Sequence, residues 1–108
     1  MYGYTVSVYN RKVIQTFADA TTADVFHGAN TKAARKIDKT VWPVVRRKLD
    51  MVHAAAAERD LRVPPGNRLE TLKGEQAGRW SIRVNEQHRI TFRFEGGHAH
   101  EVRCEDYH

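Results

Sequence analysis

The chain has 108 residues, of which 41% are hydrophobic, 29% charged and 9% aromatic. That length suits one domain of roughly 100–150 residues and excludes two independent cores, while the composition excludes a disordered chain. Eighteen Lys and Arg against thirteen Asp and Glu give a formal charge of +5, so the expected partner is an anion, nucleic acid first. Cys104 is the single cysteine, which rules out an intrachain disulfide and points to a reducing cytoplasm. The opening sequence MYGYTVSVYNRKVIQTF has no basic region followed by an apolar block. No run approaches the roughly 18 apolar residues of a membrane span, so neither secretion nor membrane insertion is expected.

Residues 1–12 read as an N-terminal extension, and residues 13–108 as one domain. Val13–Phe17 is predicted to be the first strand, because Asp19 and Thr21-Thr22 follow it as helix-start signals. A short helix over Ala23–His27 is stopped by Gly28, and Asn30–Thr40, with Lys32, Arg35, Lys36 and Lys39 against Asp38, reads as a solvated connector. The clearest helix runs over about Val41–Arg59, where Val41, Val45, Leu49, Val52 and Ala56 trace one apolar stripe. Thr40 is its predicted N-cap, and Pro43 falls in the first turn, where a missing amide costs nothing. Pro64-Pro65-Gly66-Asn67 then makes a stiff turn.

From Arg68 onward the period changes to two. After a strand at Leu69–Lys73, Trp80, Ile82 and Val84 alternate with Arg79, Ser81, Arg83 and Asn85. Ile90, Phe92 and Phe94 alternate with Arg89, Thr91 and Arg93, and Glu95-Gly96-Gly97 is a hairpin turn into a last strand over about His98–Cys104. The result is an antiparallel meander with an apolar edge toward the helix and a polar edge rich in arginine: Arg79, Arg83, Arg89, Arg93, with Arg103 as a further candidate. The plain reading is the solvated side of a small sheet. Guanidinium groups clustered with few acids are more easily explained by a bound phosphate.

Cleavage of RNA by its own 2′-hydroxyl needs a base for that hydroxyl, cations for the pentavalent phosphate and an acid for the leaving 5′-oxygen. Glu70, His88, Arg89 and the closing Asp106-Tyr107-His108 supply each type. Each also has a plain explanation, as a surface acid, a turn residue or a frayed tail.

The run Arg62-Val63-Pro64-Pro65-Gly66-Asn67-Arg68-Leu69-Glu70, then Leu72-Lys73-Gly74, Gly78, Trp80-Ser81-Ile82, His88-Arg89-Ile90, Phe92 and Asp106-Tyr107-His108 resembles the HigB toxins, the plasmid-maintenance killer group of the RelE superfamily. The resemblance covers about residues 13–108. It implies an α+β microbial ribonuclease-like fold, β-α-α-β-β-β, with helices on one face of an antiparallel sheet. It further implies the toxin of a type II toxin-antitoxin system, which cuts mRNA in the A site of the 70S ribosome, leaves a 2′,3′-cyclic phosphate and is silenced by a HigA-like helix-turn-helix antitoxin. No metal or other cofactor is implied, and operator DNA is expected to be bound only through the antitoxin, because the chain has no recognition-helix signature.

Carried over by position, Lys73 and Arg89 match basic residues that stabilise charge at the scissile phosphate, and Asp106, Tyr107 and His108 match the functional C-terminus. Glu70 and His88 stand where one HigB branch has histidine and tryptophan, and both resemble the related YoeB toxins. The resulting assignment is Glu70 as general base, His108 as general acid, Arg89 with Lys73 as the clamp, and Tyr107 against a nucleotide. Exchange of the Glu70 and His108 roles, His88 as acid, and Asp106 as an orienting group stay open. Arg68, Arg79, Arg83, His88, Arg93 and Asp106 complete the expected RNA surface. The rivals are a ParE-like gyrase inhibitor without nuclease residues and a nucleic-acid-binding module without catalysis. A zinc site from His98, His100, Cys104 and His108 matches no closed ligand spacing and is not expected.

Overall fold

The computed structural model describes residues 13–106. The proposed extension at residues 1–12 and the terminal Tyr107 and His108 lie outside the described residues.

The first segment does not form a full strand. Residues 13–18 run parallel to the end of the chain through isolated bridges, Ile14 opposite Ala99 and Phe17 opposite Val102. Their backbone bonds include Gln15 N to Ala99 O at 2.8 Å, Val102 N to Thr16 O at 3.0 Å and Ala18 N to Val102 O at 2.9 Å. The ladder is interrupted where Glu101 takes a left-handed φ of 52° and its N–H turns to Thr16 Oγ1 at 2.8 Å, the signature of a β-bulge.

Helix α1 spans Ala20–Phe26, three residues earlier at its start than the sequence suggests, because Asp19 accepts from Thr22 N and caps it. Gly28, at φ +74°, lets the chain leave the helix. The connector is less solvated than its charges imply. Ala34 and Ile37 are buried, and Trp42 Nε1 donates to Ile37 O at 2.8 Å, folding the segment back onto the core.

Helix α2 spans Trp42–Ala54 with Pro43 in its first turn as expected. Val41 rather than Thr40 occupies the N-cap; Thr40 instead donates to Asp38, which caps the short 3-10 turn before it. Val45, Leu49 and Val52 are fully buried, whereas Ala56 is exposed and beyond the helix. The helix ends five residues early because the chain turns at Ala55 and the Asp60 carboxylate accepts from Ala56 N and Ala57 N. The break lets Leu61 reach the core. Burial of such a side chain is worth about 1.5–3 kcal/mol, more than the few tenths per residue at stake in helix propensity.

Four strands follow: β1, Glu70–Thr71; β2, Trp80–Arg83; β3, His88–Glu95; and β4, His98–Asp106. They form an antiparallel sheet in the order β1-β2-β3-β4. Its register places Glu70 opposite Ser81, Ile82 opposite Ile90, Arg83 opposite Arg89 and Ile90 opposite Cys104. Gly96 and Gly97, both at positive φ, make the tight β3-β4 turn. Ile82, Ile90, Phe92 and Val102 meet Val25, Val45, Leu49 and Val52 in the core, so both helices cover one face of the sheet. The fold is α+β with the helices on one side, and the other face of the sheet is left to solvent.

Candidate active site

Alternation along the strands puts Ser81, Arg83, Arg89 and Thr91 on the uncovered face. Arg83 and Arg89 stand directly opposite each other, a like-charge pair that is unfavourable unless acids lie nearby. Glu70 supplies one, with Oε1 3.8 Å from Arg89 Nη1, and Glu105 is the register partner of Arg89 on the other side. Arg89 Nη1 also donates to Ser81 Oγ at 3.3 Å, so this guanidinium, with its side chain 15% exposed, is held in place, while Glu70 is largely open to solvent. Arg68, Glu70, Ser81, Arg83, Glu86 and Arg89 enclose a cleft of about 200 Å³. A carboxylate beside three guanidinium groups in so small a space can take a proton from a hydroxyl while neighbouring cations hold a phosphate.

The remaining arginines are not a free cationic row. Arg93 Nε donates to Glu101 Oε1 at 2.8 Å and Nη1 to Glu95 Oε2 at 3.0 Å. Arg79 Nη2 donates to Glu101 O at 2.8 Å and to Thr91 Oγ1 at 3.1 Å. Hydrogen bonding from Arg93 holds the Glu101 carboxyl below the usual carboxylate range, and Glu101 raises Arg93 in turn. Arg103 turns toward the capping residue of α1, with Nε 3.3 Å from Asp19 Oδ2. The face divides into an end where Glu95 and Glu101 bind Arg79 and Arg93 directly and an open cleft where Arg68, Arg83 and Arg89 stand with Glu70 and Glu86.

Of the other expected site residues, Lys73 is exposed at the start of a 3-10 turn, Gly74–Gln76, and does not line the cleft. His88 begins β3 on the core-facing side, opposite in sense to Arg89, and is nine-tenths buried. Its Nδ1 has no hydrogen-bond partner among the described residues. Together with Cys104, Asp106, Asp19, Lys36 and Asp38 it borders a second hollow at the edge of the sheet. Asp106 is the register partner of His88 and accepts from Gln87 Nε2 at 3.1 Å. The structure therefore brings Arg68, Glu70, Arg83 and Arg89 together, and sets His88 and Asp106 apart from them.

Burial, reinforced by Asp19, Glu105 and Asp106, pushes the Cys104 thiol up to about 12. Among the described residues no three His, Cys, Asp or Glu side chains are grouped to hold a metal ion, and no helix is long and apolar enough to cross a membrane. Sequence reasoning missed Glu86 in the cleft and Glu105 beside Thr91 Oγ1, 2.5 Å away. It also missed the buried pair Lys48 and Asn67. The signal for Lys48 was present: it falls three residues after Val45 and four before Val52, on the apolar stripe itself.

Known proteins resemble this chain in sequence and in fold. Toxin HigB-1 of Vibrio cholerae serotype O1 is 47% identical over 68 residues, 63% of this chain and 72% of its own length. Endoribonuclease HigB of Proteus vulgaris is 49% identical over 41 residues, 38% of this chain and 45% of its own length. The YoeB-YefM complex from Staphylococcus aureus is similar in fold, with a TM-score of 0.54 at 17% identity over 88% of this chain and 97% of that one. The family described as RelE-like toxin of type II toxin-antitoxin system HigB matches residues 13–108, the stretch that carries both helices and the cleft. The chain belongs to this HigB family of RelE-like toxins.

Proposed function

We propose that residues 13–108 form the domain of an endoribonuclease toxin that cuts mRNA in the A site of the 70S ribosome and so stops translation. The observation that carries this reading is the Glu70–Arg89 pair, 3.8 Å apart, in a cleft that Arg68 and Arg83 also line. In this mechanism Glu70 takes the proton of the ribose 2′-hydroxyl as its oxygen attacks the adjacent phosphorus. Arg89, braced by Ser81, and the neighbouring Arg68 and Arg83 balance the charge of the pentavalent phosphate. The bond to the 5′-oxygen breaks, His108 delivers a proton to it, and a 2′,3′-cyclic phosphate remains. Tyr107 packs on an unpaired base, and Lys73, exposed beside the cleft's strand, approaches the phosphate from outside. The name of the Proteus vulgaris relative, an endoribonuclease, supports the reaction class. A cognate antitoxin follows from the family; its HigA-like helix-turn-helix form, and contact with operator DNA through it alone, belong to the proposal.

The test is a primer-extension map of mRNA ends in a reconstituted translation reaction, with and without ribosomes, for wild type, Glu70→Ala, Arg89→Ala and His108→Ala. Discrete in-frame cuts that need ribosomes and fall at least about a hundredfold in each variant are expected, the scale of losing one acid-base or charge-stabilising group. Growth arrest by wild type without any new RNA ends would sink the nuclease reading and leave a gyrase inhibitor or a plain binding module.

A further inference from the structure

Lys48 is a cation on an otherwise apolar stripe of α2, only 9% exposed between Val45, Leu49 and Val52. Its Nζ donates to Asn67 Oδ1 at 2.6 Å, and Asn67 is fully buried. The other end of the Asn67 amide donates to Leu61 O at 3.1 Å and Val63 O at 3.4 Å. One side chain thus ties together α2, the 3-10 turn at Glu58–Arg62 and the turn at Pro65–Asn67. Desolvation, with Arg47 adding to it, lowers the Lys48 pKa.

The chain immediately after Asn67 builds the cleft. Arg68 takes a left-handed conformation, φ 47° and ψ 55°, which turns the backbone onto the sheet edge, and Glu70 follows two residues later. Strand β1 has only two residues paired to β2, Glu70 with Ser81 and Thr71 with Trp80. So short an edge strand is weakly held by its own ladder. A non-glycine residue at positive φ persists where its surroundings enforce it, and Asn67 is the buried anchor next to it.

We infer that the Lys48–Asn67 hydrogen bond is a positioning device for the reaction: it fixes the turn that sets Arg68 and Glu70 against Arg83 and Arg89. Lys48 and Asn67 touch no substrate; they act through the two cleft residues that follow in the chain. The inference rests on the reading of Glu70 and Arg89 given above. It requires that loosening the turn spoil the chemical step more than binding, since misplacing a reacting group by about 1 Å costs on the order of a hundredfold in rate.

The experiment is single-turnover cleavage on mRNA-programmed ribosomes with full-length toxin in excess, which yields a plateau rate and a half-saturating concentration. Lys48→Met keeps the stem and its packing but removes the donor; Asn67→Ala removes the whole anchor; Asn67→Asp keeps an acceptor for Lys48 but loses the two donations to Leu61 O and Val63 O. We expect Lys48→Met and Asn67→Ala to lower the plateau rate about tenfold to a hundredfold with half-saturation within about twofold of wild type, and Asn67→Asp, which keeps only the Lys48 contact, to recover part of the rate over Asn67→Ala. Mere loss of folded protein has the opposite signature, because excess toxin then restores the plateau and only half-saturation rises. Glu70→Ala runs in the same assay. If it is inactive while Lys48→Met and Asn67→Ala keep plateau rates within about twofold of wild type, the positioning role is overturned alone. If Glu70→Ala stays active, the site reading falls and this inference with it. Should Lys48→Met fail to fold, the comparison of Asn67→Ala with Asn67→Asp decides the question without altering the helix.

Discussion

Cys104 illustrates how a single side chain is governed by its surroundings. Nine-tenths buried under α1 and flanked by carboxylates, its thiol is pushed up to about 12, which leaves it protonated and unreactive throughout the physiological range. The folded protein is expected to resist iodoacetamide at about pH 8, and to be modified fully once urea unfolds it. The same shift couples to stability with a definite sign. In the unfolded chain the thiol ionises near about pH 8.5, so its preference for the native state is complete below that value and is lost as pH rises toward the folded pKa. Urea midpoints compared at about pH 7 and about pH 10 should therefore fall further for wild type than for Cys104→Ala. An equal fall in both proteins removes the thiol as the cause. Glu101 follows the opposite course: because Arg93 lowers its pKa, the stability it contributes is present above the ordinary carboxylate range and is lost as pH falls through the folded value.

At the scale of elements, the edge of β4 shows how a broken strand is completed by a helix. Residues 13–18 satisfy β4 as far as Val102, then the chain turns away at the Asp19 cap, and the next inward amide, Cys104 N, is met at 2.9 Å by the hydroxyl of fully buried Thr22 in α1. Thr22→Val keeps the shape and strands that amide, at a cost of about 1–3 kcal/mol, read as a lowered denaturant midpoint with an unchanged slope; an unchanged midpoint would mean that the amide finds another partner. Such pairings explain what the sequence could and could not disclose. The period-two runs at Trp80–Arg83 and His88–Glu95 and the stripe of Val45, Leu49 and Val52 are local patterns, and they lie where those patterns put them. The end of α2 is not local: four successive alanines favour continuation, and only the Asp60 carboxylate and the burial of Leu61 stop it. The first strand fails for the same kind of reason, since the bulge at Glu101 that interrupts its pairing lies more than eighty residues away. Within the candidate site, Glu70 and Arg89 were legible as residue types, but the sidedness of His88 depends on the register of β3. The role of Asn67 depends on a lysine nineteen residues earlier.

For the molecule as a whole, the charge of +5 matters less than where it is free. Arg79 and Arg93 lie at one end of the uncovered face with Glu95 and Glu101 bound to them, and a phosphate arriving there must compete with carboxylates already within 2.8 to 3.5 Å. Arg68 and Arg83 line the cleft beside Arg89, with Arg83 Nε donating to the carbonyl of Asn85 at 3.2 Å and Arg68 exposed. A guanidinium that neutralises a phosphate releases condensed counterions and contributes about 0.7 to the slope of log affinity against log salt for single-stranded RNA. One that exchanges a carboxylate for a phosphate contributes less, because its charge was already balanced. Binding of a short uncleavable RNA, with a 2′-deoxyribose at the scissile position, should then lose about 0.7 of slope in Arg68→Ala and in Arg83→Ala, and distinctly less in Arg93→Ala. Equal losses in all three variants would mean that the carboxylates move aside and the whole sheet face takes RNA. A loss confined to Arg93→Ala would relocate the RNA track to the β3-β4 hairpin and away from Glu70. The salt slope reads the electrostatic path of the RNA without requiring that it be cut, so it separates where the nucleic acid lies from which residues perform the chemistry.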